Sequence, residues 1–255
     1  MKVLLIGDSC TDVYVYGDVK RLNPEAPVPV LEPKREHTSQ GMAWNVYNNM
    51  LAFGLDVYMI TQMETIKKTR YIDEKSNQQI LRVDEEPEVK PIEYEPPFLE
   101  RAANEPKSDD WYDVLVISDY DKGFITQDEI FRLVKWFDGP VIIDSKKKVL
   151  PEGAWIKINE LESKTLERDL TSSVIVTKGG EGAEYNHKFF PAEKVKVRDV
   201  VGAGDTFLAA LTYGYLTKHT MEAAIPIANK AAAIAVSHPG TYVLTKEDVK
   251  QLHTY

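Results

Sequence analysis

At 255 residues, 43% of them hydrophobic, the chain can bury a substantial core as one large α/β domain or two small ones. Its formal net charge of −9 argues against nucleic-acid binding, which needs a basic face to neutralise phosphates. One cysteine, Cys10, cannot form an internal disulfide and fits a reducing compartment, and no apolar run has the length of a signal peptide or a bilayer span, so a cytoplasmic protein without membrane contact is expected.

In chain order, residues 3–6 are the first of five short apolar runs, followed by 57–60, 114–117, 141–143 and 174–176. Each reads as a strand buried on both faces. Helical patterns lie between and after them. They span 42–53, closed by Gly54; 126–137, opened by the capping-box pattern Thr126-Gln127-Asp128-Glu129; 205–216; 220–237, with Pro226 early or at a kink; and a short last helix from Thr245. Two stretches break this rhythm. Residues 13–17 and 28–31 alternate around Asn23-Pro24-Glu25-Ala26-Pro27, and 69–72 with 79–83 form a hairpin pattern around 73–77. The expectation is an α/β fold over 1–255 as a single domain: a mainly parallel central sheet with helices on both faces, and a small projecting antiparallel β lid from about 13–36 and 68–84. The acidic, Pro-rich segment 86–110 reads as a surface connection with room for one short helix. The histidines at 37, 187, 219, 238 and 253 show no metal-ligand spacing.

Chemistry concentrates at Asp199-Val200-Val201-Gly202-Ala203-Gly204-Asp205, which runs into a stretch of good helix formers. A small-residue loop opening a helix leaves backbone N–H groups unpaired at the positive end of the helix dipole, which makes an anion site. Such a loop alone is most often only a tight turn. A carboxylate at its rim would repel a phosphate, so Asp205 implies work beyond binding. Beside a nucleophilic hydroxyl it can take the proton while the amides hold the charge on a transferred phosphoryl group. The loop is neither a Walker-type phosphate loop nor a dinucleotide fingerprint.

Further segments carry a resemblance. They are Gly7-Asp8, Asp12, Tyr14-Val15-Tyr16-Gly17, the run from Arg21 through Asn23-Pro24-Glu25-Ala26-Pro27 to Val30, Gly41, Asn45, Gly54, Asn77-Gln78-Gln79, and Leu81-Arg82-Val83-Asp84. Later come Ser118-Asp119-Tyr120 with Lys122-Gly123, Asp144 with Lys146, Asn159 with Glu162, Thr177-Lys178-Gly179 with Gly182, and 199–211. Together they resemble the ribokinase-like (PfkB-type) carbohydrate kinases, and within them the heptose-7-phosphate kinase domain of ADP-heptose synthesis enzymes.

The resemblance implies an ATP-dependent kinase acting on a hydroxyl of a sugar or sugar phosphate, foremost D-glycero-D-manno-heptose 7-phosphate, with ATP and Mg²⁺ as cofactors. Asp205 would be the general base, and the amides of Gly202, Ala203 and Gly204 the anion hole. Asp12, at the end of the first strand, and Gly41 with Asn45 would hold sugar hydroxyls; Lys146 would meet a sugar phosphate, although a lysine run is as often a solvated face. Thr177, Gly179 and Gly182 would lie near the ATP phosphates and Asn229 near the adenine. Asn159 and Glu162 would organise hydrated Mg²⁺. The lid would serve as a homodimer contact. Departures stand beside these matches: Met42 and Trp44 replace small residues, and the chain passes from 57–60 to the lid hairpin without a further helix and strand. The alternatives are a kinase for another small sugar or a nucleoside, or a catalytically silent nucleotide- or sugar-binding module.

Overall fold

On strand β1 (Lys2–Gly7), Val3 and Leu5 pack into one apolar cluster and Leu4 and Ile6 into another, and all four are fully buried. That double burial is what an unbroken apolar strand implies: a layer on each face of the sheet. In this computed structural model, which describes residues 1–92, 111–167 and 173–252, β1 sits inside an eight-stranded sheet. Its neighbours are β4 (Asp56–Ile60) on one side and β7 (Val114–Asp119), β8 (Val141–Ser145), β9 (Trp155–Asn159) and β10 (Val174–Thr177) on the other, all parallel. Two antiparallel strands, β11 (Gly182–Tyr185) and β12 (Lys188–Pro191), complete the far edge. One face is covered by α1 (Ala43–Ala52), α4 (Ala203–Lys218) and α5 (Met221–Val236) through Val46, Met50, Leu208, Leu211 and Ala228; α2 (Gln127–Trp136) covers the other through Ile130 and Leu133. Two short helices, α3 (Glu160–Ser163) and α6 (Lys246–Leu252), are also present among the described residues.

The second sheet has the order β3-β2-β5-β6. β2 (Ser9–Leu22) pairs with β3 (Pro29–Met42), and β5 (Ile66–Asp73) with β6 (Gln78–Glu85), as antiparallel hairpins, while the inner strands β2 and β5 run parallel. Pro29 and Pro33 lie on the edge strand β3, where a missing N–H disturbs no inner ladder.

Several expectations need correction. Asp12 lies on β2, because the chain turns at Asp8 and re-enters a sheet at once; Asp8 holds the end of β1. The lid strands reach 9–42 and 66–85, beyond the expected 13–36 and 68–84. β4 is the sheet edge and half exposed along its length. β9, β11 and β12 escaped the sequence reading. The capping box at Thr126 is half formed: its hydroxyl accepts from the Glu129 N–H, while the Glu129 carboxylate turns to Arg132. Within α5, Pro226 stands early as expected, in the second turn, and the helix continues past it. The short helix expected in 86–110 falls largely outside the described residues. Among the described residues no helix is long and apolar enough to cross a membrane.

Candidate active site

α4 begins at Gly202, whose left-handed backbone (φ 76°) suits glycine and whose Cβ, were there one, would lie 2.6 Å from Asn45 Nδ2. The Gly202 carbonyl accepts from the Thr206 N–H, which closes the first turn. The amides of that turn have no intrahelical carbonyl to meet. The Ala203 N–H is satisfied from outside the helix, by the Val200 carbonyl at 3.3 Å. Ala203 and Gly204 line a cavity of about 830 Å³; Gly202 lies behind it, tied to Asn45.

Asp205, in this turn, is only 2% exposed. One carboxylate oxygen accepts from the Tyr120 hydroxyl at 2.5 Å, the other from Asn45 Nδ2 at 3.1 Å. Burial pushes its pKa up to about 6, while the bonds from Tyr120 and Asn45 work the other way. It is therefore ionised at neutral pH yet basic enough to accept a proton.

Asn45 is fully buried on α1. Its amide donates to Gly202 O and Asp205, and its carbonyl accepts from Asn49. The side chain assigned to sugar hydroxyls is thus committed to orienting the carboxylate. Asp12, on β2, is 3% exposed and paired with Arg70 of β5. A Cβ on Gly41 would collide with the Asp12 carboxylate, so this glycine makes room for the buried ion pair.

The cavity extends from this point towards the sheet's antiparallel edge. It is lined by Thr177, Gly179, Gly182 and Asn229, with Lys146, Asn159 and Glu162 on its wall, and Val195, Val197 and Phe207 give it an apolar side. The Asn229 amide ties α5 to the carbonyls of Phe190 and Pro191. Asp205, Asp12, Gly41 and Asn45 do not line the cavity; Tyr120 stands between it and Asp205.

Asn159 and Glu162 form a complete capping box. The Asn159 side-chain oxygen accepts from the N–H groups of Leu161 and Glu162, and one Glu162 oxygen accepts from the Asn159 N–H. The second Glu162 oxygen takes no part in that box. This set fits a hydrated Mg²⁺ held at a distance, where one carboxylate and the phosphates of a bound nucleotide suffice, and not a cage of protein ligands. No group of three or more His, Cys, Asp or Glu among the described residues could hold a metal on its own.

Four site residues were given no role from sequence, although Tyr120 stood within a quoted segment. Tyr120 caps Asp205. Lys157, 5% exposed, pairs with Asp144 at 2.6 Å and lies beneath Gly204; burial opposes its charge, but Asp144 more than compensates and its pKa stands above the usual value. Arg70 and Lys68 come from the lid. The Lys68 amine is 6.0 Å from the Tyr120 ring centre and the Lys146 amine 4.7 Å. Tyr120 and Lys157 carried a signal, since each ends or interrupts an apolar strand. Lys68 and Arg70 carried none, because only the pairing of β2 with β5 brings them to the site.

Residues 156–248 match the model of the pfkB family carbohydrate kinase. The chain is 31% identical over 306 residues to the bifunctional protein HldE of a Nitratiruptor species, covering 98% of this chain and 64% of that protein. To the bifunctional protein HldE of Campylobacter jejuni it is 29% identical, with 98% and 64% covered. It thus spans less than two thirds of the length of these relatives. Among solved structures, Escherichia coli phosphofructokinase-2 in complex with potassium superposes with a TM-score of 0.72 at 17% identity, covering 99% of this chain and 98% of that one. Arabidopsis thaliana ribokinase complexed with ribose and ATP gives a TM-score of 0.67 at 16% identity, with the same two coverages of 99% and 98%. At such identities these two establish the ribokinase fold.

Proposed function

From the match of residues 156–248 to the pfkB family carbohydrate kinase, we propose that this chain transfers the γ-phosphate of ATP to a hydroxyl of a sugar phosphate, with D-glycero-D-manno-heptose 7-phosphate the first acceptor to test. The observation that carries the reading is Asp205: a buried carboxylate in the first turn of α4, next to Gly204 on the cavity wall, with a pKa near 6. Asp205 takes the proton from the attacking hydroxyl. The free amides of the α4 turn, with Lys157 beneath Gly204, absorb charge on the phosphoryl group in flight. The nucleotide lies along Thr177, Gly179 and Gly182 with its base towards Asn229 and the apolar wall. Asn159 and Glu162 would hold a hydrated Mg²⁺, which would neutralise charge on the phosphates.

A phosphorylated acceptor is supported by Lys68 and Lys146, whose amines converge on the Tyr120 ring from the lid and from the end of β8. Two cations beside the base suit an acceptor that carries an anion away from its reacting hydroxyl. The chain pairs with a second copy through the lid, where Leu22, Leu81 and Val83 are 65%, 54% and 39% exposed. Sedimentation at several concentrations tests that pairing, and a monomer throughout would reject it.

Coupled ATP-consumption assays over a panel of heptose, hexose and pentose phosphates, with the free sugars and nucleosides beside them, test the function. Turnover confined to phosphorylated sugars is the expected result. Turnover on free sugars or nucleosides alone would refute the acceptor class. A second reading, a silent nucleotide-binding module, is favoured by one observation: both Asp205 oxygens already have donors. ATP binding without turnover on every substrate would establish it.

A further inference from the structure

The carboxylate proposed as the base is held by a residue with no part in that mechanism. Tyr120 follows the end of β7. Its backbone N–H donates to Asp8 Oδ2 at 2.7 Å, and the Lys122 N–H reaches the same oxygen at 3.3 Å. Asp8 is fully buried at the end of β1 and is anchored in turn, since its N–H donates to the Ser118 carbonyl and its carbonyl accepts from the Ala43 N–H. A continuous set of bonds therefore runs from the end of one core strand, through the turn after its neighbour, to the start of α4. Its last link is the Tyr120 hydroxyl, a side-chain donor to Asp205.

We propose that Tyr120 is a positioning residue: its hydroxyl, fixed at the end of β7 by Asp8, holds the Asp205 carboxylate in the orientation from which it takes the acceptor's proton. This rests on the kinase reading. Tyrosine suits the task on three counts. The phenol is a donor that keeps its own proton, because burial and the nearby Asp205 and Asp144 carboxylates push its pKa well above the usual value. Its ring walls the cavity, so the donor cannot be replaced there by water without opening that wall. With Asn45 on the other oxygen, two donors fix the plane of the carboxylate, which leaves its remaining lone pairs for the acceptor hydroxyl.

Carboxyl-carbon NMR of aspartate-labelled protein reads this directly, with the Asp205 signal assigned by its absence in Asp205→Asn. Asp205 is also faced by Asp144 of β8, Lys157 of β9 and Cys10 of β2, and all three stay unchanged in the variants. In Tyr120→Phe the Asp205 midpoint should rise by roughly one pH unit, since a bond that favours the ionised form is lost. Replacing Tyr120 with a fluorinated tyrosine, a stronger donor of nearly the same shape, should move it down. Turnover of Tyr120→Phe should fall on the order of 10-fold with little change in acceptor KM. Shifts of opposite sign in the two variants establish the role. An Asp205 midpoint that stays put in both, or moves the same way in both, overturns it, whatever their turnover. The kinase reading fails separately, on an absence of turnover by the unaltered protein.

Discussion

The two sheets use opposite means to bury their strands. In the main sheet Leu4, Leu5, Ile6, Leu115 and Ile117 are fully buried, and the strand centres from β1 to β8 carry no charge. The lid sheet pairs Asp12 with Arg70 diagonally between β2 and β5, at 3% and 8% exposure, with the half-buried Lys68 in register with Asp12. Apolar strands cost nothing to bury and stabilise the body. Charged strands are expensive to bury and earn their place only where they meet a ligand or one another. The site lies where these two regimes meet, with Asp8, Tyr120 and Asp205 from the body and Asp12, Lys68 and Arg70 from the lid.

The sharpest way to break the contrast is to remove the buried carboxylate of the body that we propose as the base. Asp205→Asn should lower kcat by about 10²- to 10⁴-fold, the usual scale for loss of a general base, with ATP affinity retained. Its stability should move the other way. The folded pKa of about 6 exceeds the ordinary 3.8, so burial of Asp205 is fully tolerated below pH 3.8 and becomes costly as pH rises through 6. Denaturant unfolding should therefore find Asp205→Asn gaining on the unaltered protein over that window, by roughly 3 kcal/mol at most. Next in size, Arg70→Ala leaves the Asp12 charge buried without its partner and should cost about 3–5 kcal/mol in urea unfolding, whereas replacing both by apolar residues of similar volume should recover most of it. An equal loss in the double variant would mean that the lid does not behave as a charged layer. Smaller still, Lys68→Ala or Lys146→Ala should raise KM for a phosphorylated acceptor roughly 10-fold each, with KM for ATP unchanged.

Much of the body was legible because most of its strands are uninterrupted apolar runs and the helices α2 and α5 open at the side-chain caps Thr126 and Thr220. The carboxylate proposed as the base stands out in the sequence too, as an acidic residue where an anion loop has no use for one. β9 was hidden by Lys157, which breaks Trp155-Ile156 from Ile158 and is tolerated there only because Asp144 of β8 meets its amine. The four-residue strands β11 and β12 are too short for a period to register. Asp12 was assigned to the wrong strand because the turn at Asp8 occupies a single residue between β1 and β2. The roles of Tyr120 and Asn45 depend on contacts across 85 and 160 residues of sequence, which no local pattern encodes.

The central claim is that a buried carboxylate with an elevated pKa starts the transfer. The pH dependence of kcat/KM for the phosphorylated acceptor tests it most directly. An acid limb with its midpoint near 6, retained in Lys146→Ala and lost with nearly all turnover in Asp205→Asn, is the predicted result. A profile that is flat down to the ordinary carboxylate range, or an acid limb that survives in Asp205→Asn with turnover intact, would contradict it.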